Sequence, residues 1–273
     1  MSWTLDDIAW SGFEAGHVDA DILKVVKAAS LVERNAADYV AYLCRVFPSD
    51  AAFQAAARQW GGEEQQHGEA LARWAALADP RFDFADALGR FTKGFRLPPA
   101  ATRSVRGSLA GELIARCIVE CGTSSFYSAI RDASQEPVLR EICRRIAGDE
   151  FRHYRLFQKH LNRYGGPRSL SFVQRLKVAL GRVLEAGDDE LAMAFHCANR
   201  LPEPYDRVRA ARAYALLASK LYQPVHLARM VAMIAKAIGV DPKGRLVWLL
   251  QRLAWRAMRG RQAWLAWRGV ATA

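Results

Sequence analysis

A chain of 273 residues with 51% hydrophobic residues has enough apolar material for a core that needs no disulfide staples. Its five cysteines are odd in number and without framework spacing, which excludes a disulfide scaffold, and the i, i+4 spacing of Cys117 and Cys121 argues against a thiolate metal site. MSWTLDDIAWSGFEAGH lacks the basic and apolar regions of a signal peptide, and no apolar run nears the ~18 residues of a spanning helix, so reduced thiols and a cytoplasmic location are expected.

Apolar residues recur at helical spacing along nearly the whole chain without strand-like alternation, which predicts an all-α fold. Pro, Gly and capping residues place a first long helix at about 18 to 46 and a second from the 48–50 cap to the residue before Pro80. A connection of some 25 residues follows, then a third helix at about 104 to 133 and a fourth at 137 to 164, halted by GGP. Two helical hairpins joined by one long crossover are the topology of a ferritin-like four-helix bundle, expected here over residues 1–167. Residues 168–273 are expected to add a C-terminal helical extension, with helices near 169–186, 188–199, 204–220, 224–238 and 242–268. Of the net +11, residues from Arg207 onward hold 13 Lys or Arg against Asp241 alone, or +12, leaving 11 − 12 = −1 for the rest. Such a tail expects an acidic partner: an anionic membrane, an acidic protein or nucleic acid, the last disfavoured because no nucleic-acid-binding module is recognisable.

The bundle region carries one pattern twice. In WGGEEQQHGEAL, Glu64 and His67 lie three apart on one helix face, and in IAGDEFRHYRLF so do Glu150 and His153. With 13 glutamates and six histidines in the chain, composition alone gives about 0.3 such pairs, so the duplication points to a shared role. A di-metal carboxylate bundle needs a Glu-x-x-His from each of two helices and one glutamate from each of the others. Glu33 is the sole glutamate of the first helix. The third offers Glu112 and Glu120, and Glu120, flanked by Ile118, Val119 and Cys121, is the one expected to be buried. Four carboxylates and two imidazoles form a mainly oxygen shell suited to two irons, or to a Mn/Fe pair, and able to leave positions open for O2. Asp149 is expected to accept the free N–H of His67, and Glu63 that of His153.

The extended forms W-G-G-E-E-Q-Q-H-G, around Glu64, and I-C-R-R-I-A-G-D-E-F-R-H, around Glu150, resemble the corresponding segments of soluble acyl-carrier-protein (ACP) desaturases, a likeness spanning roughly residues 20 to 165. The resemblance implies Glu64 and Glu150 as bridging ligands, Glu33 and Glu120 as terminal ones, and His67 and His153 on separate irons. It further implies a role for Thr123 beside the oxygen-binding position, Trp60 as the tryptophan one turn before the first motif, an external ferredoxin-like electron donor, ACP as substrate carrier and a homodimer. Gln66 stands where the plant enzymes have arginine, whereas Arg152 matches. The function implied is O2-dependent desaturation or hydroxylation of a fatty-acyl chain. Two alternatives stay open: a membrane-associated di-iron hydroxylase of a quinone or lipid, peripheral on the inner face of the membrane, and a ferritin-like iron-binding or peroxide-scavenging protein without an organic substrate.

Tyr39, Tyr127, Tyr154 and Phe126 are read as core aromatics rather than tunnel or radical residues. His160 and His196 are read as structural or surface groups, and Cys44, Cys117, Cys121, Cys143 and Cys197 as apolar fillers. On the last helix Arg245, Arg252, Arg256 and Arg259 form a stripe edged by Trp248 and Trp255. That stripe fits an anionic bilayer, an acidic carrier protein, or a solvated face of a helix packed on the bundle.

Overall fold

The computed structural model describes residues 3–95, 101–185 and 189–267, and these form a helical bundle without a strand. Four long segments surround its centre: α1 (Ala20–Arg34), continued by α2 (Ala36–Val46), then α3 (Ala51–Ala78), α5 (Leu109–Ala133) and α6 (Pro137–Arg163). Each begins where the sequence offers a cap. Asp19 accepts from the backbone of Asp21 and Ile22, Asp50 from Phe53, and Ser108 from Gly111, satisfying N–H groups that the helix itself leaves open. α1 packs on α3, α5 on α6, and α3 on α6.

Two expected boundaries change. The single first helix is broken at Asn35, where the ladder tightens to an i→i+3 bond from Asn35 N to Val32 O at 3.1 Å. Asn competes poorly for helical geometry, and the break falls two residues after Glu33. The connection between hairpins contains α4 (Phe84–Gly94), capped by Asp83 on Asp86 N, with Ala87 and Phe91 buried. Its Phe-x-x-Ala-x-x-x-Phe spacing is helical, but the flanking Pro and Gly residues hid it.

Beyond the bundle come α7 (Phe172–Leu184), α8 (Asp189–Asn199), α9 (Arg207–Leu221), α10 (Pro224–Ala237) and α11 (Arg245–Trp267). The expected helix ends at 186, 188 and 268, and part of the connection at 96–100, lie outside the described residues. α8 packs against α1, α10 against α5, and α11 against α9 and α10. Phe195, Ala210 and Leu217 of the extension join Val25, Leu71 and Ile142 of the long helices in one apolar cluster.

A second apolar cluster gathers Leu43, Phe53, Leu113, Phe157 and Leu161 toward the other end of the bundle. Each long helix contributes to both clusters or leads between them, and the middle turns of α3, α5 and α6, with the end of α1, carry Glu64, His67, Glu120, Glu150, His153 and Glu33. One polar layer is therefore held between two apolar ones. Close backbone approach sets its width. A Cβ at Gly68 would lie 2.7 Å from Arg34 N and 2.9 Å from Ser30 O, and one at Gly61 would meet the Val40 side chain. Glycine at these two positions lets α3 press against α1 and α2 on both sides of Glu64.

Glu136 anchors one end of this frame. Fully buried, it caps α6 through Val138 N and Leu139 N and accepts Trp74 Nε1 at 2.6 Å and Glu14 N at 3.1 Å. Replacing Glu136 by Ala strips the cap and orphans the Trp74 donor, so urea unfolding should show a loss of about 2–4 kcal/mol. Metal content per folded chain should not change.

Candidate metal centre

The i, i+3 spacing places Glu64 and His67 on the inward face of α3, and Glu150 and His153 on the inward face of α6. α1 brings Glu33 and α5 brings Glu120 to the same layer. All six are buried. Two overlapping quartets result, Glu33, Glu64, His67 and Glu150, and Glu64, Glu120, Glu150 and His153, each with ligand atoms within 4.8 Å of one another. Each quartet could hold one cation, and Glu64 and Glu150 belong to both.

Both imidazoles present Nδ1 to the centre. His67 Nδ1 lies 3.2 Å from Glu150 and 3.5 Å from Glu64. His153 Nδ1 lies 3.1 Å from Glu64 and 3.6 Å from Glu120. Behind them, His67 Nε2 meets Asp149 Oδ2 at 3.0 Å and His153 Nε2 meets Glu63 Oε2 at 2.8 Å. Each outer carboxylate fixes the tautomer that leaves Nδ1 free to ligate. Asp149 is itself held by Trp3 Nε1 at 2.8 Å and Arg152 at 2.5 Å, while Glu63 accepts from Gln59 at 3.1 Å.

Several of the inner atoms lack hydrogen-bond partners. His67 Nδ1, His153 Nδ1, both oxygens of Glu120 and Glu150 Oε1 are buried and make no hydrogen bond despite their proximity. Burying polar atoms unsatisfied costs about 1–3 kcal/mol each, and five at one point are what a ligand set looks like before its cation is counted. The donor chemistry agrees: four carboxylates and two neutral imidazoles balance two divalent ions.

Without a cation, protons take over that balance. Burial, reinforced by the charge of Glu64, pushes Glu33 well above the usual carboxylate range. Burial does the same to Glu120, against the pull of His153 and with Glu150 and Glu64 adding to it. For the imidazoles, burial disfavours the charged ring, but Asp149, Glu150 and Glu64 outweigh it at His67, and Glu120, Glu150 and Glu63 at His153, so both pKa values rise well above normal. At Glu64 and Glu150 burial raises the pKa, but the two imidazoles close by, and for Glu64 also the Glu33 carboxyl, outweigh it and hold both low.

Other sequence candidates fall into place around this centre. Thr123 donates to Glu150 Oε2 at 2.6 Å. Trp60 hydrogen-bonds no ligand; it packs edge-on against Phe157 at 5.6 Å and walls a small cavity beside Glu64 and Glu120. Glu112 lies outside both quartets, bonded to Tyr42 and Ser104 at 2.8 Å each. Tyr127, read as simple core, donates a short hydrogen bond to Glu33, and Tyr39, read likewise, donates to Glu190 at 2.5 Å. Tyr154 is core, donating to Met233 O at 3.2 Å. His160 is paired with Arg163 and His196 with Glu203, away from the quartets. All five cysteines are free, four of them buried.

Trp3 was missed altogether. It stacks on His67 with centroids 6.0 Å apart while donating to Asp149, and Gln66 fastens it by donating to Trp3 O at 2.8 Å. Gln66 is the residue that departs from the desaturase pattern, and it serves a segment that no helical periodicity marks.

No protein-family model matches the chain, and no curated protein matches it at a significant level of sequence similarity.

Two outcomes follow for metal binding. Elemental analysis after supplying divalent metal should find about two ions per chain, lost on Glu64→Ala or Glu150→Ala, while Asp149→Asn weakens affinity about 10–100-fold. Because Glu33, Glu120, His67 and His153 keep their protons to higher pH than usual, a cation must displace those protons. Loading should release protons into weak buffer, and affinity should fall as pH is lowered.

Proposed function

We propose that this chain is an O2-dependent di-iron oxidase of ferritin-like architecture that removes hydrogen from an unactivated C–H of an apolar, fatty-acyl-like substrate. The resemblance of its two motifs to those of acyl-ACP desaturases suggests the reaction class. One structural observation favours an organic substrate over iron storage: a cavity of about 340 Å³ reaches Glu33, Thr123 and Tyr127 at the edge of the quartets, with otherwise mostly apolar walls that include Phe126, Ala215 and Ile234. Phe126 and Tyr127 are thus walls of a chamber as well as core. A scavenger of peroxide needs no such space.

Bound iron would supply the redox chemistry that reduces O2 with electrons from an external donor. For desaturation, two hydrogens leave the substrate, two electrons and two protons come from donor and solvent, and O2 becomes two waters. For hydroxylation, one oxygen enters the C–H bond and the other becomes water.

The chain's own residues set the conditions. Asp149 and Glu63 hold the two imidazoles in register, and Tyr127 fixes the orientation of Glu33. Thr123 stands where the apolar cavity meets a second one of about 150 Å³, lined by Arg116, Glu120 and Glu190. Its Oγ1 proton, now held on Glu150, is placed to move toward a reacting oxygen at that junction. The apolar wall keeps bulk water from the C–H that reacts.

The deciding experiment supplies ferrous protein with a ferredoxin-like donor, O2 and acyl thioesters, and follows O2 uptake and organic product by mass spectrometry. Uptake should depend on the apolar substrate and vanish in Glu120→Ala. Thr123→Val should retain iron and lower kcat about hundredfold. Uptake indifferent to substrate, without organic product, would instead favour the iron-handling alternative.

A further inference from the structure

α11 packs on α9 and α10 through a narrow face, burying Val247 and Leu265. The opposite face does not resemble a solvated one. Leu246, Leu249, Leu250 and Leu253 are 44–58% exposed, and Trp264 and Trp267 continue their row toward the end of the helix. Beside this row runs another, of Arg245, Arg252, Arg256 and Arg259, all exposed. Arg252 lies over the Trp248 ring at 4.6 Å and Arg259 over Trp255 at 5.9 Å. Scattered exposed leucines are ordinary on a protein surface, but a contiguous row of them is not.

α7 repeats the feature. Phe172, Val173, Leu176, Leu180, Val183 and Leu184 are exposed on one side of that helix, whose buried side is only Val178 and Ala179. The two helices meet at the same chamber: Val183 of α7 and Met258 and Arg261 of α11 line the apolar cavity that reaches Glu33 and Thr123.

We propose that α11, with α7 at the same cavity, is a docking face for the surface of an anionic lipid bilayer. The helix has 23 residues, and no helix among the described residues is long and apolar enough to cross a membrane. Its pattern is that of a helix lying in the interfacial plane, with leucines and tryptophans among the acyl chains and arginines at the phosphates. Charge selects this partner. Residues from 207 onward sum to +12 with one acid, Asp241, so a second copy of the chain would set like charges against each other. An acidic protein complements the arginine row but not the exposed leucines and tryptophans beside it. An anionic bilayer complements both. A docked chain would hold the wall of the cavity at the lipid surface, within reach of an apolar substrate dissolved there. That last consequence alone rests on the oxidase reading.

The test is flotation of the full-length protein with vesicles of equimolar phosphatidylglycerol and phosphatidylcholine, and with phosphatidylcholine alone. The protein should float with the first, stay behind with the second, and be released by raising the salt. Replacing the four arginines by Gln should weaken binding on the order of several hundred-fold, from about 1 kcal/mol per basic residue near an anionic surface. Leu246→Ser, Leu249→Ser and Leu253→Ser together should abolish flotation while leaving the thermal unfolding midpoint and metal content unchanged. Glu64→Ala should lose metal and float as the wild type does, which separates failure of the docking from failure of the metal centre. Three results would overturn the proposal: no flotation of the wild type, flotation unchanged in both surface variants, or a dimer by light scattering that the leucine variant dissociates. Retention on immobilised acidic carrier protein in place of vesicle binding would overturn it as well.

Discussion

Four carboxylates and two imidazoles buried in one layer constrain the rest of this molecule. Isolated buried carboxylates are expensive to ionise, and here Glu33, Glu64, Glu120 and Glu150 converge with two histidines. Only protons or cations can neutralise them. Burial and mutual charge raise the pKa values of Glu33 and Glu120, while the close imidazoles lower those of Glu64 and Glu150. Five buried atoms of the six residues are left without hydrogen bonds at this one point, where a pair of metal ions would satisfy them.

A layer of this kind survives only if the surrounding structure imposes it. Apolar clusters on both sides supply the favourable burial, and the glycines at 61 and 68 let α3 approach its neighbours closely enough for Glu64 to serve both quartets. The outer ring is equally determined. Asp149 and Glu63 are each tied to a histidine, and Trp3 and Arg152 tie Asp149 in turn. The N-terminal segment thereby becomes part of the centre's support, although it contributes no ligand to the quartets.

The helices beyond the bundle give the centre surroundings. α9, α10 and α11 build one wall of the apolar chamber, and α7 another. That chamber supports the proposed oxidation of an apolar substrate over iron handling alone. The outward faces of α7 and α11 extend the same apolar character to the surface, so that the centre, the chamber and the proposed docking face adjoin.

By itself the sequence determined what depends on helical period and local chemistry. Three-residue spacing sets Glu64 with His67 and Glu150 with His153 on single faces, and the duplicated acidic step pointed Glu63 and Asp149 at the histidines of opposite motifs; burial does not separate Glu120 from Glu112, since both are buried and only Glu120 joins a quartet. Helix starts at Asp50 and Pro137 were legible because capping is local. Tertiary structure decided whatever depends on residues far apart in the chain. The helix at Phe84–Gly94 arises from packing that overrides local punctuation, burying Ala87 and Phe91. Trp3 reaches Asp149 across 146 positions, and Tyr127 reaches Glu33 across 94. The wheel of α11 gave its arginine stripe, yet which side would be covered by α9 and α10, and that leucines would be left outside, depended on how the bundle folds around it.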